Sequence, residues 1–214
     1  MRVQRAAFTT VAFTLIACGG SGSSGPPQQT TPTLSVKIAN EPVTSGTTVQ
    51  ASATITDASG HASAASDVVW SSSDGGVALI DASGLITGRR AGSTIIKATA
   101  AGLTAQHTIS VVAGAASHVS IAAGDLQVGN QGATLPDPLC VLVTDAAGNF
   151  VEGAIATYTV ATGGGALNAP TAPRSGANGI AISGLWVLGS LAGQQTVTAS
   201  VGGAGSVTFK ATAN

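Results

Sequence analysis

The side chains able to do chemistry in this sequence are few and thinly spread. Two thiols are present, Cys18 and Cys140. The imidazoles of His61, His107 and His118 stand too far apart for a metal-ligand pair, and no cluster of thiols accompanies them as a zinc site would need. No G-x-S-x-G elbow, S-x-x-K pair or phosphate-binding loop occurs, and no two carboxylates are spaced for acid/base work. The sequence is therefore read as that of a non-enzyme, with no catalytic, cofactor-binding or metal-binding residue and no small-molecule substrate. Gly20, Gly22 and Gly25 fit the spacing G-x-G-x-x-G, but that motif cradles a dinucleotide only between a strand and a helix, and its neighbours here are Ser, Pro and Gln. Asp57, Asp81 and Asp145 each open an Asp-Ala-Ser-Gly or Asp-Ala-Ala-Gly turn. A carboxylate in that position accepts backbone N–H bonds, which accounts for all three without calcium.

At Cys18 the neighbours define the chemistry. Arg2 and Arg5 make a positive start, and residues 6–17 form an uncharged, mostly apolar run. As a helix that run would reach about 18 Å, short of a ~30 Å hydrocarbon core, so it is read as a cleaved signal and not as a permanent span. Its end, Leu15-Ile16-Ala17-Cys18, resembles the lipobox of bacterial lipoproteins. The resemblance implies cleavage before Cys18, lipidation of that residue, and a mature protein held to a membrane of the bacterial cell envelope, at the cell surface or on a periplasmic face. Two or more acyl chains on one residue make a stable anchor, whereas one holds only marginally.

Composition describes what is tethered. The net charge is −1 and 8% of residues are charged, so there is no basic field for nucleic acid. With Cys18 acylated, Cys140 has no partner in the chain, and the folds must stand without disulfides. Residues 18–32 are rich in Gly, Ser, Pro, Gln and Thr and lack apolar periodicity, the composition of a flexible linker. The remaining length suits two sandwiches of ~100 residues each.

Period-two alternation predicts strands at 34–38, 49–55, 68–70, 77–80, 85–86, 94–100 and 103–112, punctuated by the Asp57 and Asp81 turns. The run Val69-Trp70-Ser71-Ser72-Ser73-Asp74, with Val77-Ala78, Gly84-Leu85-Ile86-Thr87-Gly88, Ala91-Gly92 and Ile95-Ile96-Lys97-Ala98, resembles the bacterial Ig-like domain of group 2. That implies a small sandwich over 33–112, in a family of surface and envelope proteins where it serves as spacer or adhesive module. Arg89-Arg90 departs from the family pattern and is read as a solvated loop.

A second set of strands is predicted at 118–121, 139–144, 155–160, 180–188, 196–201 and 206–211. Gly124-Asp125-Leu126-Gln127, Leu135-Pro136-Asp137-Pro138-Leu139, Val143 through Asn149, Gly163-Gly164-Gly165 and Ala177-Asn178-Gly179-Ile180-Ala181 resemble the group 1 bacterial Ig-like domain of intimins and invasins. The resemblance covers 116–214 and implies a stalk-building sandwich over 113–214. The fold class expected is thus all-β, two tandem Ig-like antiparallel sandwiches, joined by a short hinge at 112–116 that leaves little room to bend.

Trp70 and Trp186 sit in apolar strands and are expected in the two cores, while Phe150 beside Gly148-Asn149 is the aromatic expected outside. In the strand 139–144, alternation turns Leu139, Val141 and Val143 inward and Cys140, Leu142 and Thr144 outward. Beside the resembled family that outward face is unusually apolar, so Cys140 and Leu142 are expected under a loop or against a partner chain, and an exposed Cys140 would be able to bridge two copies. The functional expectation is a lipid-anchored spacer or adhesion module whose partner is an envelope or extracellular protein. A carbohydrate-binding module recognising a glycan is the second reading, weakened by the scarcity of aromatics, 3% of the chain.

Overall fold

Alternating apolar and polar residues bury one face of an extended chain, and turn residues fold such segments into hairpins. The computed structural model describes residues 31–168 and 170–214, and every regular element there is a β-strand. No helix among the described residues is long and apolar enough to cross a membrane.

The first half contains β1 (Thr33–Ile38), β2 (Val43–Thr44), β3 (Thr48–Thr56), β4 (Ala62–Ala64), β5 (Val69–Ser72), β6 (Ala78–Ile80), β7 (Leu85–Gly88), β8 (Gly92–Ala100) and β9 (Leu103–Val112). They build one sheet in the order β1-β3-β7-β6, with β4 beside β3, and a second in the order β2-β9-β8-β5. Between the sheets lie Ile38, Val43, Val49, Ile86, Ile96, Ile109 and Val111. Burial of each such aliphatic side chain contributes about 1.5–3 kcal/mol relative to exposure. The buried Thr94 on β8 is satisfied locally: its Oγ1 accepts the Asp74 amide at 2.9 Å and lies 3.0 Å from Ser72 Oγ.

The second half contains β10 (His118–Ala123), β11 (Gln127–Gly129), β12 (Cys140–Thr144), β13 (Ala156–Thr162), β14 (Ala166–Leu167), β15 (Ile180–Ile182), β16 (Trp186–Val187), β17 (Gly193–Val201) and β18 (Gly205–Ala213). One side of the sandwich is β11-β18-β17-β13; the other is β10-β12-β15 with the pair β14-β16. The core between them is larger and more aromatic, with Trp186, Phe209, Tyr158, Leu139, Val141, Val143 and Val197. Tyr158 and Phe209 pack with ring centroids 6.1 Å apart, and the Tyr158 hydroxyl donates to the Ala181 carbonyl at 2.8 Å. An edge of this sandwich is covered by irregular chain, since the amides of Ala156 and Tyr158 on β13 donate to Pro173 and Thr171 carbonyls. That capping removes an open template for pairing with other chains.

The all-β fold class read from the sequence is the one observed, and several details differ. β2, β4, β11 and β14 were not expected, because two or three residues show no periodicity. The single strand expected at 180–188 is two: Ser183 donates its amide to Leu139 and Gly184 to Pro170, which breaks the run between β15 and β16. Trp186 is fully buried as expected, but Trp70 is only half-buried and packs against its core from outside. Its strand β5 is the edge of its sheet, and its indole Nε1 reaches over the turn at Gly84. Expectations about Cys18 and about residues 1–30 lie outside the described residues.

Candidate functional site: the joint between the two sandwiches

The three Asp turns fold alike. In each, the Asp amide donates to the carbonyl four residues on, at 3.0 Å (Asp57 to His61), 3.1 Å (Asp81 to Leu85) and 2.9 Å (Asp145 to Asn149). In each, Oδ1 accepts the amides two and four residues on: Ser59 and His61, Ser83 and Leu85, Ala147 and Asn149. The fourth position has positive φ and is glycine every time, Gly60, Gly84 and Gly148. Oδ1 of Asp57 and of Asp81 also accepts the neighbouring Ser hydroxyl, and these hydrogen bonds hold both exposed carboxylates below their ordinary pKa. The Asx-turn expected from sequence is therefore what is seen.

The third copy does more. It follows β12 at the end of the second sandwich, and Ala147 replaces the serine. The fifth residue is Asn149, where the first two turns have His61 and Leu85. Its side chain reaches the first sandwich: Oδ1 accepts the Ala91 amide at 2.9 Å, and Nδ2 donates to Ser45 Oγ at 3.0 Å. Ser45 Oγ in turn donates to the Arg89 carbonyl at 2.6 Å. Nδ2 also donates to Asp145 Oδ2 at 2.8 Å, and Asp145 Oδ2 accepts the Gly114 amide from the connecting segment at 2.8 Å. Exchanging the amide oxygen and nitrogen would face acceptor to acceptor and donor to donor, so the orientation of Asn149 is fixed by its partners.

Asp145 thus accepts hydrogen bonds on both oxygens and is 3% exposed, with Asn149 at 6%. Burial alone would raise its pKa, but the hydrogen bonds, led by that from Asn149, outweigh it and hold the carboxyl below the ordinary value. Gly114 fits because it lacks a side chain: a Cβ there would stand 3.2 Å from the Ser45 carbonyl and 3.4 Å from Asp145 Oδ2. Sequence reasoning found the turn at Asp145 and missed Asn149 and Ser45, whose roles depend on contact between residues 104 apart. Arg89, read as part of a solvated loop, has an exposed side chain but a backbone carbonyl bound into the joint, a contact that residue type does not encode.

The other residues singled out by sequence are not gathered. His107 Nε2 lies 2.6 Å from Glu41 Oε1 on the first sandwich, and His118 Nδ1 lies 3.4 Å from the Asp145 carbonyl at the joint. No group of three His, Cys, Asp or Glu side chains able to hold a metal ion is found among the described residues. Cys140 is half-buried on β12, flanked by β10 and β15, with Sγ 3.7 Å from the Pro138 carbonyl, and burial pushes its thiol pKa up. Leu139, Val141 and Val143 point inward as the alternation required. Leu142, also half-buried, sits under the 176–179 turn, with its Cδ1 against Gly179. Phe150 is 53% exposed.

Residues 31–112 match the family model of the bacterial Ig-like domain (group 2). No curated protein matches the chain. Among solved structures, the chain is similar to FdeC, an Escherichia coli adhesin, with a TM-score of 0.55 and 21% identity over 86% of this chain and 65% of that one. It is also similar to InvD of Yersinia pseudotuberculosis, with a TM-score of 0.50 and 15% identity over 86% of this chain and 57% of that one. Identity at that level establishes a shared fold. The chain spans less than two thirds of either structure.

Proposed function

We propose that the chain is a lipid-anchored protein of the bacterial cell envelope, in which two Ig-like modules form a stiff spacer that presents an adhesion or protein-interaction surface. In this reading residues 1–17 are the signal peptide, 18–32 carry the acylated Cys18 and the linker, 33–112 form the group 2 module, and 113–214 form a module of the group 1, intimin and invasin type. The observation that carries the spacer role is the joint: Asn149 and Asp145 tie the second sandwich to loops of the first through buried hydrogen bonds. A freely swinging pair would leave these groups to water. The group 2 match supports an envelope setting, and the similarity to a protein described as an adhesin supports a surface role.

The anchor is tested by expressing the chain with labelled fatty acid. Wild type is expected to incorporate label and fractionate with membranes; Cys18→Ala is expected to remain an unlabelled precursor. Equal labelling of the two would refute the anchor. The interaction role is tested by adhesion of the full chain to whole cells and to isolated envelope protein, where absence of any saturable binding would refute it.

A further inference from the structure

Asn149 makes its hydrogen bonds to the residues on either side of Arg90: Nδ2 approaches the Arg89 carbonyl at 3.4 Å and Oδ1 accepts the Ala91 amide. Arg90 from the first sandwich and Phe150 from the second are thereby brought together, and with Ala91, Gly148, Asn149 and Ala177 they line an open groove of about 310 Å³. Among the described residues Arg90 makes no ion pair. Its guanidinium lies over Gly76, where the Asp74 carboxylate also stands, but Asp74 Oδ1 accepts the Gly76 amide and no ion pair forms. Arg89 adds a second positive charge one residue away. Among the described residues Phe150 is also the one exposed aromatic.

From this we infer that the joint groove is a recognition site for a protein segment presenting a carboxylate next to an apolar side chain. The inference rests on the interaction-module reading and names the partner chemistry of that module. The unpaired guanidinium supplies charge complementarity and a planar fork for a carboxylate, and the Phe150 ring offers apolar area to the adjacent side chain. Asn149 fixes the backbone beside each, so the spacing of the two attachment points is set before binding, which lowers part of the ordering cost. A sugar suits the groove less well. Its several hydroxyls would each need a polar partner, yet both polar atoms of the Asn149 amide are already committed, and beside them the lining offers one polar side chain, Arg90, among Phe, Gly and Ala.

The test is an NMR titration of the isotope-labelled full chain, following the amides of Ala91 and Phe150. Three probes are compared: a blocked peptide carrying Glu beside Leu, the same peptide with Gln for Glu, and an oligogalacturonate. The Glu peptide is expected to shift both signals saturably. Affinity should fall at least about tenfold for the Gln peptide and for the Arg90→Gln and Phe150→Ala variants, while Lys37→Gln binds as wild type. All the substituted side chains are exposed, and unchanged thermal unfolding would verify that the variants fold. The inference is overturned by equal binding of the Gln peptide, by saturable binding of the oligogalacturonate alone, or by no shift with any probe. In adhesion assays, a wild-type chain that adheres while Arg90→Gln and Phe150→Ala adhere equally refutes the groove and leaves the module reading intact. A wild-type chain that adheres to nothing refutes that reading and the groove with it.

Discussion

Asn149 Oδ1 accepts the Ala91 amide at 2.9 Å, linking the two sandwiches through residues 58 apart in sequence. The same side chain donates to Ser45 and Asp145, so one amide connects the first sandwich, the second sandwich and, through Asp145, the connecting segment at Gly114. Removing it leaves the Ala91 amide without its acceptor and takes one donor from Asp145 Oδ2, which keeps the Gly114 amide.

Asn149→Ala is expected to weaken the joint by about 1–3 kcal/mol, the cost of losing its hydrogen bonds to Ala91, Ser45 and Asp145. The two cores contain no part of Asn149, so their own unfolding should change little. Residual dipolar couplings check this: one alignment tensor should describe both halves of wild type, and two should be needed for the variant. A variant still described by one tensor would show that packing of the connecting segment suffices.

The joint should also respond to acid in a definite direction. The hydrogen bonds that Asp145 accepts hold its folded-state pKa below the ordinary carboxylate value. Its contribution is therefore fully present above the unfolded pKa and is lost as pH falls through the folded one. Small-angle scattering is expected to be constant from neutral pH down to about 4 and to report a loosened pair only below that. A loosening centred near neutral pH would refute the assignment to Asp145.

The two tryptophans should differ in effect. Trp186 is fully buried among large side chains, so Trp186→Ala is expected to cost about 3–5 kcal/mol, whereas the half-buried Trp70 should cost nearer 2 kcal/mol. Chemical denaturation followed by residue-resolved NMR separates the halves: Trp186→Ala should lower the transition of β10 to β18, and Trp70→Ala that of β1 to β9. Equal losses would contradict the difference in burial.

That contrast shows where sequence reasoning reached and where it ended. Period-two alternation located the long strands because burial of one face is a local pattern, visible in Val49, Ala51 and Ala53 or in Leu139, Val141 and Val143. The Asp turns were legible for the same reason: a carboxylate, a glycine and two amides within five residues form a closed unit. Alternation cannot tell an edge strand from a central one, and so Trp70 on β5 looked like Trp186. The joint was hidden for a related reason. Asn149 in a turn satisfies every local rule for a solvated residue, and only the arrival of Ser45 and Ala91 makes it a latch.

Cys140 supplies the last prediction. It lies on a strand paired on both sides, opposite Ala123 of β10 and Ile182 of β15, and its Sγ is turned to the Pro138 carbonyl. Burial raises its pKa, so less thiolate exists at a given pH, and the thiolate is the species that attacks an alkylating agent or a disulfide. Both effects act in one direction. Iodoacetamide at pH 8 is expected to label folded protein at least about tenfold more slowly than unfolded protein, and non-reducing electrophoresis of envelope-isolated protein should show monomer. Rapid labelling of the folded chain, or a dimer lost on Cys140→Ser, would mean that β12 opens to solvent often enough to present its thiol. In that case the 176–179 turn that lies over Leu142 on the same strand must be the part that moves.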